Sequence, residues 1–141
     1  MENIRIKKLD CGVRVVTEKI NHVNSAAIGI WVRNGAVDEY KEVAGISHFI
    51  EHMMFKGTKK RSARQIAEDI DKIGGQMNAF TGKEATCYYV KSLNTHLFDG
   101  AEVLLDMLNE SVFDSHEMTK ERKVICGRKT DASMDRGFQK I

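Results

Sequence analysis

Three residues in one pentapeptide have the types and the spacing that metal chemistry requires. His48, Glu51 and His52 form the pattern H-x-x-E-H. On a helix, positions i, i+3 and i+4 project from one face, so both imidazoles can reach a single metal ion with the carboxylate beside them. Zinc suits imidazole nitrogen and acidifies its bound water, and a neighbouring carboxylate can take the proton. The pattern predicts His48 and His52 as zinc ligands and Glu51 as the catalytic base.

The alternative is a chance pair of histidines on an amphipathic helix. With average residue usage, an H-x-x-E-H occurs in a chain of this length on the order of once in a few hundred sequences. The isolated histidines His22, His96 and His116 are interpreted as surface residues. The pentapeptide therefore favours a metal site over coincidence.

The segments around the pentapeptide predict the elements that position it. Helical spacing of apolar residues covers 45–55, and Ser62 with Gln65 forms a capping box that begins a second helix. A hairpin is predicted near the N-terminus, a strand at 25–33, two strands within 77–93, and two further helices capped by Thr95 and Ser115. The expected fold is α+β, with helices packed on a mixed, largely antiparallel sheet.

The third predicted helix carries one apolar face. Its members share helical spacing and are Leu97, Ala101, Leu104, Leu105, Leu108 and Val112. The helical pattern of the fourth is lost after Cys126, and the polar stretch that follows is interpreted as a frayed or disordered tail.

Composition narrows the partners and the compartment. The 141 residues carry a net charge of +2 and no long basic block, so no nucleic-acid partner is expected. There is no secretory signal and no apolar run of membrane-spanning length, so no membrane partner is expected. The distant cysteines Cys11, Cys87 and Cys126 indicate neither a disulfide framework nor a Cys-based zinc site, and a reducing cytoplasm is the expected location.

The chain resembles the M16, or pitrilysin-like, zinc metallopeptidases. H-x-x-E-H is the signature of inverted zincins, and the surrounding AGISHFIEHMMFKGTKKRSARQI is similar to that family. The similarity continues through GGQMNAFTGKEATCYYVKSL to KERKVIC, so it covers residues 3–126. This resemblance implies a zinc endopeptidase that acts on extended peptides.

The resemblance also implies further sites and partners. The segment that matches Asn78, Ala79, Phe80 and Thr81 is in the family a strand that binds substrate by adding a peptide strand to its edge. Glu121 matches a family carboxylate that orients a zinc-binding imidazole. The implied partners are a peptide substrate and, as an open alternative, a second subunit in a homo- or hetero-dimer.

The sequence departs from the family at the third zinc ligand. The family has a glutamate seven residues after the position of Glu121, where this chain has Arg128. Arginine has no acceptor and cannot bind zinc. Residues 1–126 are therefore interpreted as the N-terminal part of an M16-like domain and 127–141 as a tail unlike the family. Gly-Arg-Lys can be encoded GGA-AGA-AAA, which begins Glu-Glu when read from the second nucleotide, so a frameshift is one hypothesis for the tail.

Three interpretations follow from these observations. The chain is a zinc metalloendopeptidase with an incomplete ligand set, a non-catalytic M16-like structural or partner subunit, or an inactive truncated fragment. The intact H-x-x-E-H argues against the non-catalytic subunit, since such members usually lose part of that motif.

Overall fold

Strands and helices alternate irregularly along the chain. A computed structural model describes residues 3–130, with side chains through residue 125. The elements are β1 (Ile4–Lys8), β2 (Arg14–Glu18), β3 (Ser25–Val32), α1 (Ile46–Met54), α2 (Ala63–Lys72), β4 (Gln76–Thr81), β5 (Thr86–Leu93), α3 (Leu97–Glu110) and α4 (Ser115–Thr130). The α+β architecture predicted from the sequence is confirmed.

All strand pairings in the described residues are antiparallel and form two separate sheets. β1 and β2 form the N-terminal hairpin, and a three-stranded sheet has the order β3-β5-β4. Its register aligns Trp31 with Cys87 and Cys87 with Phe80. Within the described part of the chain, β4 is therefore an edge strand with one side unpaired.

Helices α2 and α3 cover one face of the three-stranded sheet. The buried apolar side chains of this core are Met54, Ile66, Ile70, Tyr88, Val90, Val103, Leu104 and Met107. Gly100 lets α3 approach β5 closely, because a Cβ there would lie 3.1 Å from a methyl carbon of Val90. The sheet, α2 and α3 form one apolar layer that supports the end of α1.

The apolar face predicted for α3 is partly wrong. Leu104 is fully buried, but Leu105 and Val112 are 48% and 47% exposed. The helix turns Gly100, Val103 and Met107 toward β5 instead. Contact with the sheet through the small Gly100 thus decides the orientation of the helix more than the number of leucines does.

Two of the three predicted helix caps need correction. Ser62 and Gln65 form the predicted capping box at the start of α2. Thr95 does not cap α3, because it lies in a single 3-10 turn, and α3 begins after His96. Asp114 replaces the predicted Ser115 at α4, since its Oδ1 accepts from the amides of His116 and Glu117 at 3.0 Å.

Helix α4 packs against α1 and places a second small core behind the pentapeptide. Phe49, Met53 and Ile125 are its buried members. The helix continues through Thr130, whereas the sequence pattern predicted its loss after Cys126. The predicted boundary between an M16-like part (1–126) and a tail unlike the family (127–141) stays a prediction. Residues 131–141 lie outside the part of the chain that the structure describes. No helix within residues 3–130 has the length and apolar character to cross a membrane.

Candidate metal centre

The pentapeptide lies on α1, and burial of one face of this helix exposes the other. Phe49, Met53 and Met54 are at most 7% exposed, because they pack against the two cores. Helical geometry then directs His48 and His52 away from those cores, one turn apart. The apolar spacing of α1 therefore sets the direction of both imidazoles.

The two imidazoles converge on one point. The Nε2 atoms of His48 and His52 lie 3.1 Å apart, and the ring centroids are 4.5 Å apart at an interplanar angle of 79°. Two nitrogens at zinc-bonding distance in a tetrahedral site are separated by about 3.3 Å. The pair fits a zinc ion with a shift of a few tenths of an ångström.

Glu121 of α4 fixes the second imidazole from behind. The Nδ1–H of His52 donates to Glu121 Oε1 at 2.7 Å, which leaves the lone pair of His52 on Nε2, on the side facing His48. Lys56 Nζ contacts Glu121 Oε2 at 2.6 Å, and the Glu121 side chain is only 7% exposed. Burial alone would raise the pKa of Glu121, but its hydrogen bonds to Lys56 and His52 outweigh burial and lower that pKa. Glu121 is therefore a carboxylate anion at neutral pH.

Glu51 lies on the same helix face and contacts β4. Thr81 Oγ1 donates a hydrogen bond to Glu51 Oε2. Burial and, to a smaller extent, the charge of Glu51 raise the pKa of the neighbouring Tyr88 to about 12, so its phenol stays neutral. One oxygen of Glu51 is thus held by β4 beside the histidine pair.

The segment predicted to bind substrate forms most of the edge strand. Along β4, Ala79 and Thr81 are half-buried toward the helices, whereas Asn78 and Phe80 are exposed on the opposite face. The Ala79 amide donates to Asn78 Oδ1 at 2.8 Å, and Phe80 makes an edge-to-face contact with Trp31 at 5.5 Å between ring centroids. The site therefore joins an edge strand directly to the carboxylate of the pentapeptide.

A complete ligand set does not lie within the described side chains. Among residues 3–125, no three His, Cys, Asp or Glu side chains are grouped so that they could hold a metal ion. Arg128 stands where the family resemblance predicts the third ligand. Its backbone belongs to α4, but its side chain lies outside the described side chains. Its predicted effect on the site stays a prediction.

Two residues of the site were not found from the sequence. Lys56 lies one turn after His52, and that i, i+4 spacing is a signal that could have placed it beside Glu121. Glu39 lies in the loop before α1 and accepts the amide of Ser47 at 2.9 Å. No local pattern indicated Glu39, because it contacts the helix from an irregular segment.

The fold is that of a known protease. The chain superimposes on a crystal structure of a protease from Helicobacter pylori with a TM-score of 0.84, at 23% sequence identity, over 91% of this chain and 31% of that one. At this level of identity the similarity establishes the fold. Within this fold, α1 carries the two converging imidazoles and the carboxylate, and it lies next to the edge strand β4.

The sequence comparisons assign the family. The chain belongs to the insulinase family of peptidases, family M16, whose sequence model matches residues 14–136. It is 52% identical over 122 residues to an uncharacterized zinc protease of Bacillus subtilis, covering 85% of this chain and 30% of that protein. It is 40% identical over 121 residues to a probable mitochondrial-processing peptidase subunit beta of Arabidopsis thaliana, covering 86% and 23%. The chain thus spans less than a third of the length of these relatives.

Proposed function

We propose that residues 3–125 provide the zinc-binding helix and the peptide-binding edge of a zinc metalloendopeptidase. The supporting observation is the convergence of His48 Nε2 and His52 Nε2 at 3.1 Å, with His52 fixed by Glu121. Membership of a family with relatives named zinc proteases supports zinc as the metal. His48 and His52 are the proposed ligands, and Glu121 orients the His52 ring.

Glu51 is the proposed general base and acid. Zinc bound between the two imidazoles would acidify a water and polarise the carbonyl of the scissile bond. Glu51 accepts the proton of the attacking water and returns it to the amine that leaves, as general acid–base catalysis requires. The hydrogen bond from Thr81 occupies Glu51 Oε2, so Oε1 is the proposed proton acceptor.

The edge of β4 is the proposed binding site for an extended peptide. An unpaired strand edge offers its backbone donors and acceptors to any extended chain, which gives affinity without a fixed sequence. Asn78, Ala79 and Phe80 form this edge, and the next residue, Thr81, contacts Glu51. A peptide added here would run past the proposed base.

The third protein ligand is proposed to come from outside residues 3–125. A catalytic zinc usually has three protein ligands and one open position, and the described side chains supply two. Asp131 and Asp135 are carboxylates later in the given sequence. The chain covers 30% or less of the length of these relatives, so the activity, substrate and any dimer partner of the complete protein are proposals.

A zinc titration with a cleavage assay tests this function. The full chain is loaded with one equivalent of zinc and incubated with an unfolded, fluorogenic peptide. We expect tight binding of one zinc ion, weakened but still measurable in His48→Ala and in His52→Ala. We expect cleavage that Glu51→Gln abolishes without weakening the affinity for zinc. Cleavage retained in Glu51→Gln would contradict the assigned base.

The same experiment separates the alternatives. A non-catalytic subunit would fold and bind peptide at the edge of β4 without zinc and without cleavage. An inactive fragment would neither bind zinc nor resist unfolding.

The proposed cytoplasmic location rests on the cysteine pattern, in which Cys11 is exposed and Cys87 is buried, both as free thiols.

A further inference from the structure

The start of α1 is capped by a side chain of the loop that precedes the helix. Gly45 precedes the helix in the left-handed conformation, with a φ of 94°, and provides no side chain to cap it. The carboxylate of Glu39 instead accepts the amide of Gly45 through Oε2 and the amide of Ser47 through Oε1, the latter at 2.9 Å. One carboxylate thereby satisfies two backbone donors at the end of the helix that attracts negative charge.

The loop that carries Glu39 is itself attached to the sheet. The amides of Ala36 and Val37 donate to the carbonyls of Gly82 and Lys83 at 3.2 and 2.9 Å. These carbonyls belong to the turn between β4 and β5. The loop that carries Glu39 therefore links the turn between β4 and β5 to the first turn of α1.

The two proposed ligands are held by different parts of the molecule. His52 is fixed by Glu121 of α4, whereas His48 directly follows Ser47 in the first turn of α1. Loss of a helix cap releases mainly the first turn, since later turns keep their own hydrogen bonds.

We propose that Glu39 is a positioning residue that fixes the first turn of α1 and thereby the direction of His48. The inference rests on the proposed function in treating His48 as a metal ligand. The cap itself depends only on the contacts of Glu39. Glu121 then holds the His52 imidazole directly, whereas Glu39 acts on His48 through the backbone of the first turn.

Hydrogen exchange on the metal-free full chain tests the cap. In Glu39→Gln we expect the amides of Gly45 and Ser47 to exchange about tenfold faster, the size expected for losing one charge-assisted hydrogen bond. The His48 ring signals should broaden, with those of His52 unchanged. Glu42→Gln, an exposed acid in the same loop, is the matched control and should change neither. Unchanged exchange at Ser47, or equal changes at His48 and His52, would overturn the proposal.

A double-mutant cycle on zinc affinity tests the link to His48. Glu39→Gln should weaken zinc about tenfold when His48 is present and have no effect in a His48→Ala background. An equal loss in the His48→Ala and His52→Ala backgrounds would mean a general loss of structure and would contradict the proposal. If the unaltered chain binds no zinc, the proposed function fails, and the exchange and ring signals alone decide the role of Glu39.

Discussion

The two histidines of the pentapeptide are equivalent in the sequence but not in their surroundings. The His52 side chain is 22% exposed and donates to a buried carboxylate, whereas His48 is exposed and belongs to the first turn of its helix. Lys56 neutralises part of the charge of Glu121 and fixes its second oxygen. The hydrogen bond to Glu121 therefore fixes the orientation of the His52 ring, and the lone pair on its Nε2 is available to a metal.

Replacing Glu121 by glutamine should weaken zinc about 10–100-fold, the range typical for partners that orient a metal-binding histidine. The neutral amide gives His52 a weaker acceptor and leaves Lys56 without its charge partner. Isothermal titration with zinc measures the change. Glu117→Gln, which removes a half-buried carboxylate paired with Lys120 on the same helix, is the control and should leave the affinity unchanged. Equal affinity in both variants would contradict the role of Glu121.

Local sequence pattern places the three pentapeptide residues on one helix face but does not show the contacts around them. His48, Glu51 and His52 follow from helical spacing alone, because the same backbone carries all three. The predicted approach of Glu121 to His52 came from resemblance to a family. Glu39 and the hydrogen bond between Thr81 and Glu51 had no local signal, since loop and strand contacts depend on the folded chain.

Among the elements, those with local signals were predicted well and those fixed by tertiary contacts were not. The capping box at Ser62 is formed by two residues of one helix turn, so its pattern is sufficient. The start of α3 is set by a 3-10 turn after β5, and α4 uses Asp114, one residue before the predicted cap. The facing of α3 was mispredicted because contact with β5 at Gly100 outweighed the leucine spacing.

Gly35→Ala should destabilise the fold by about 1–3 kcal/mol, the usual cost of forcing extra atoms into a packed site. A Cβ at this position would lie 2.4 Å from the carbonyl oxygen of Lys83, which is backbone and cannot easily move. Chemical denaturation measures the loss. Gly29→Ala is the matched control in β3, where the added carbon meets its neighbours at 3.6 Å, and it should be close to neutral. Equal stability of the two variants would contradict the close contact between the loop and the turn.

Arg61 connects several elements across the whole molecule. Its guanidinium contacts Asp69 of α2 at 3.0 Å and Asp106 of α3 at 2.8 Å, and its side chain is only 16% exposed. Asp106 also accepts from the Thr58 hydroxyl at 2.8 Å. The loop after α1 is thereby fixed to both helices that cover the sheet.

The stability of the whole molecule should fall in acid through Asp106. Burial would raise the pKa of Asp106, but hydrogen bonds from Arg61 and Thr58 outweigh burial and lower that pKa from its ordinary value. A carboxyl with a lowered pKa stabilises the fold above its unfolded pKa, and this contribution is lost as the pH falls through the folded value. Unfolding free energies measured from pH 7 to pH 2 should therefore decrease below about pH 4.

Asp106→Asn removes this contribution at all pH values. We expect the free energy of unfolding to fall by about 3 kcal/mol at pH 7, as for breaking a buried ion pair. We also expect this free energy to decrease less steeply as the pH is lowered below about 4. Glu68→Gln, in the exposed pair with Arg64, should leave both features unchanged. An acid limb in Asp106→Asn as steep as in the unaltered chain would assign the effect to other carboxyls.

The N-terminal hairpin is the least supported part of the described molecule. Every residue of β1 and β2 is exposed, including Ile6 at 72% and Val16 at 62%. An isolated two-stranded hairpin is marginally stable in water. Amide exchange should therefore be fastest in β1 and β2 and slowest in β5, and equal protection of the hairpin and β5 would contradict this order.

The proposed function depends on the binding of one zinc ion between the imidazoles of His48 and His52. X-ray absorption spectroscopy of the full chain loaded with one equivalent of zinc tests it most directly. We expect a scattering shell of two imidazole nitrogens at about 2.0–2.1 Å, with only one imidazole nitrogen in either His48→Ala or His52→Ala. A zinc shell without imidazole, or one unchanged in both variants, would contradict it.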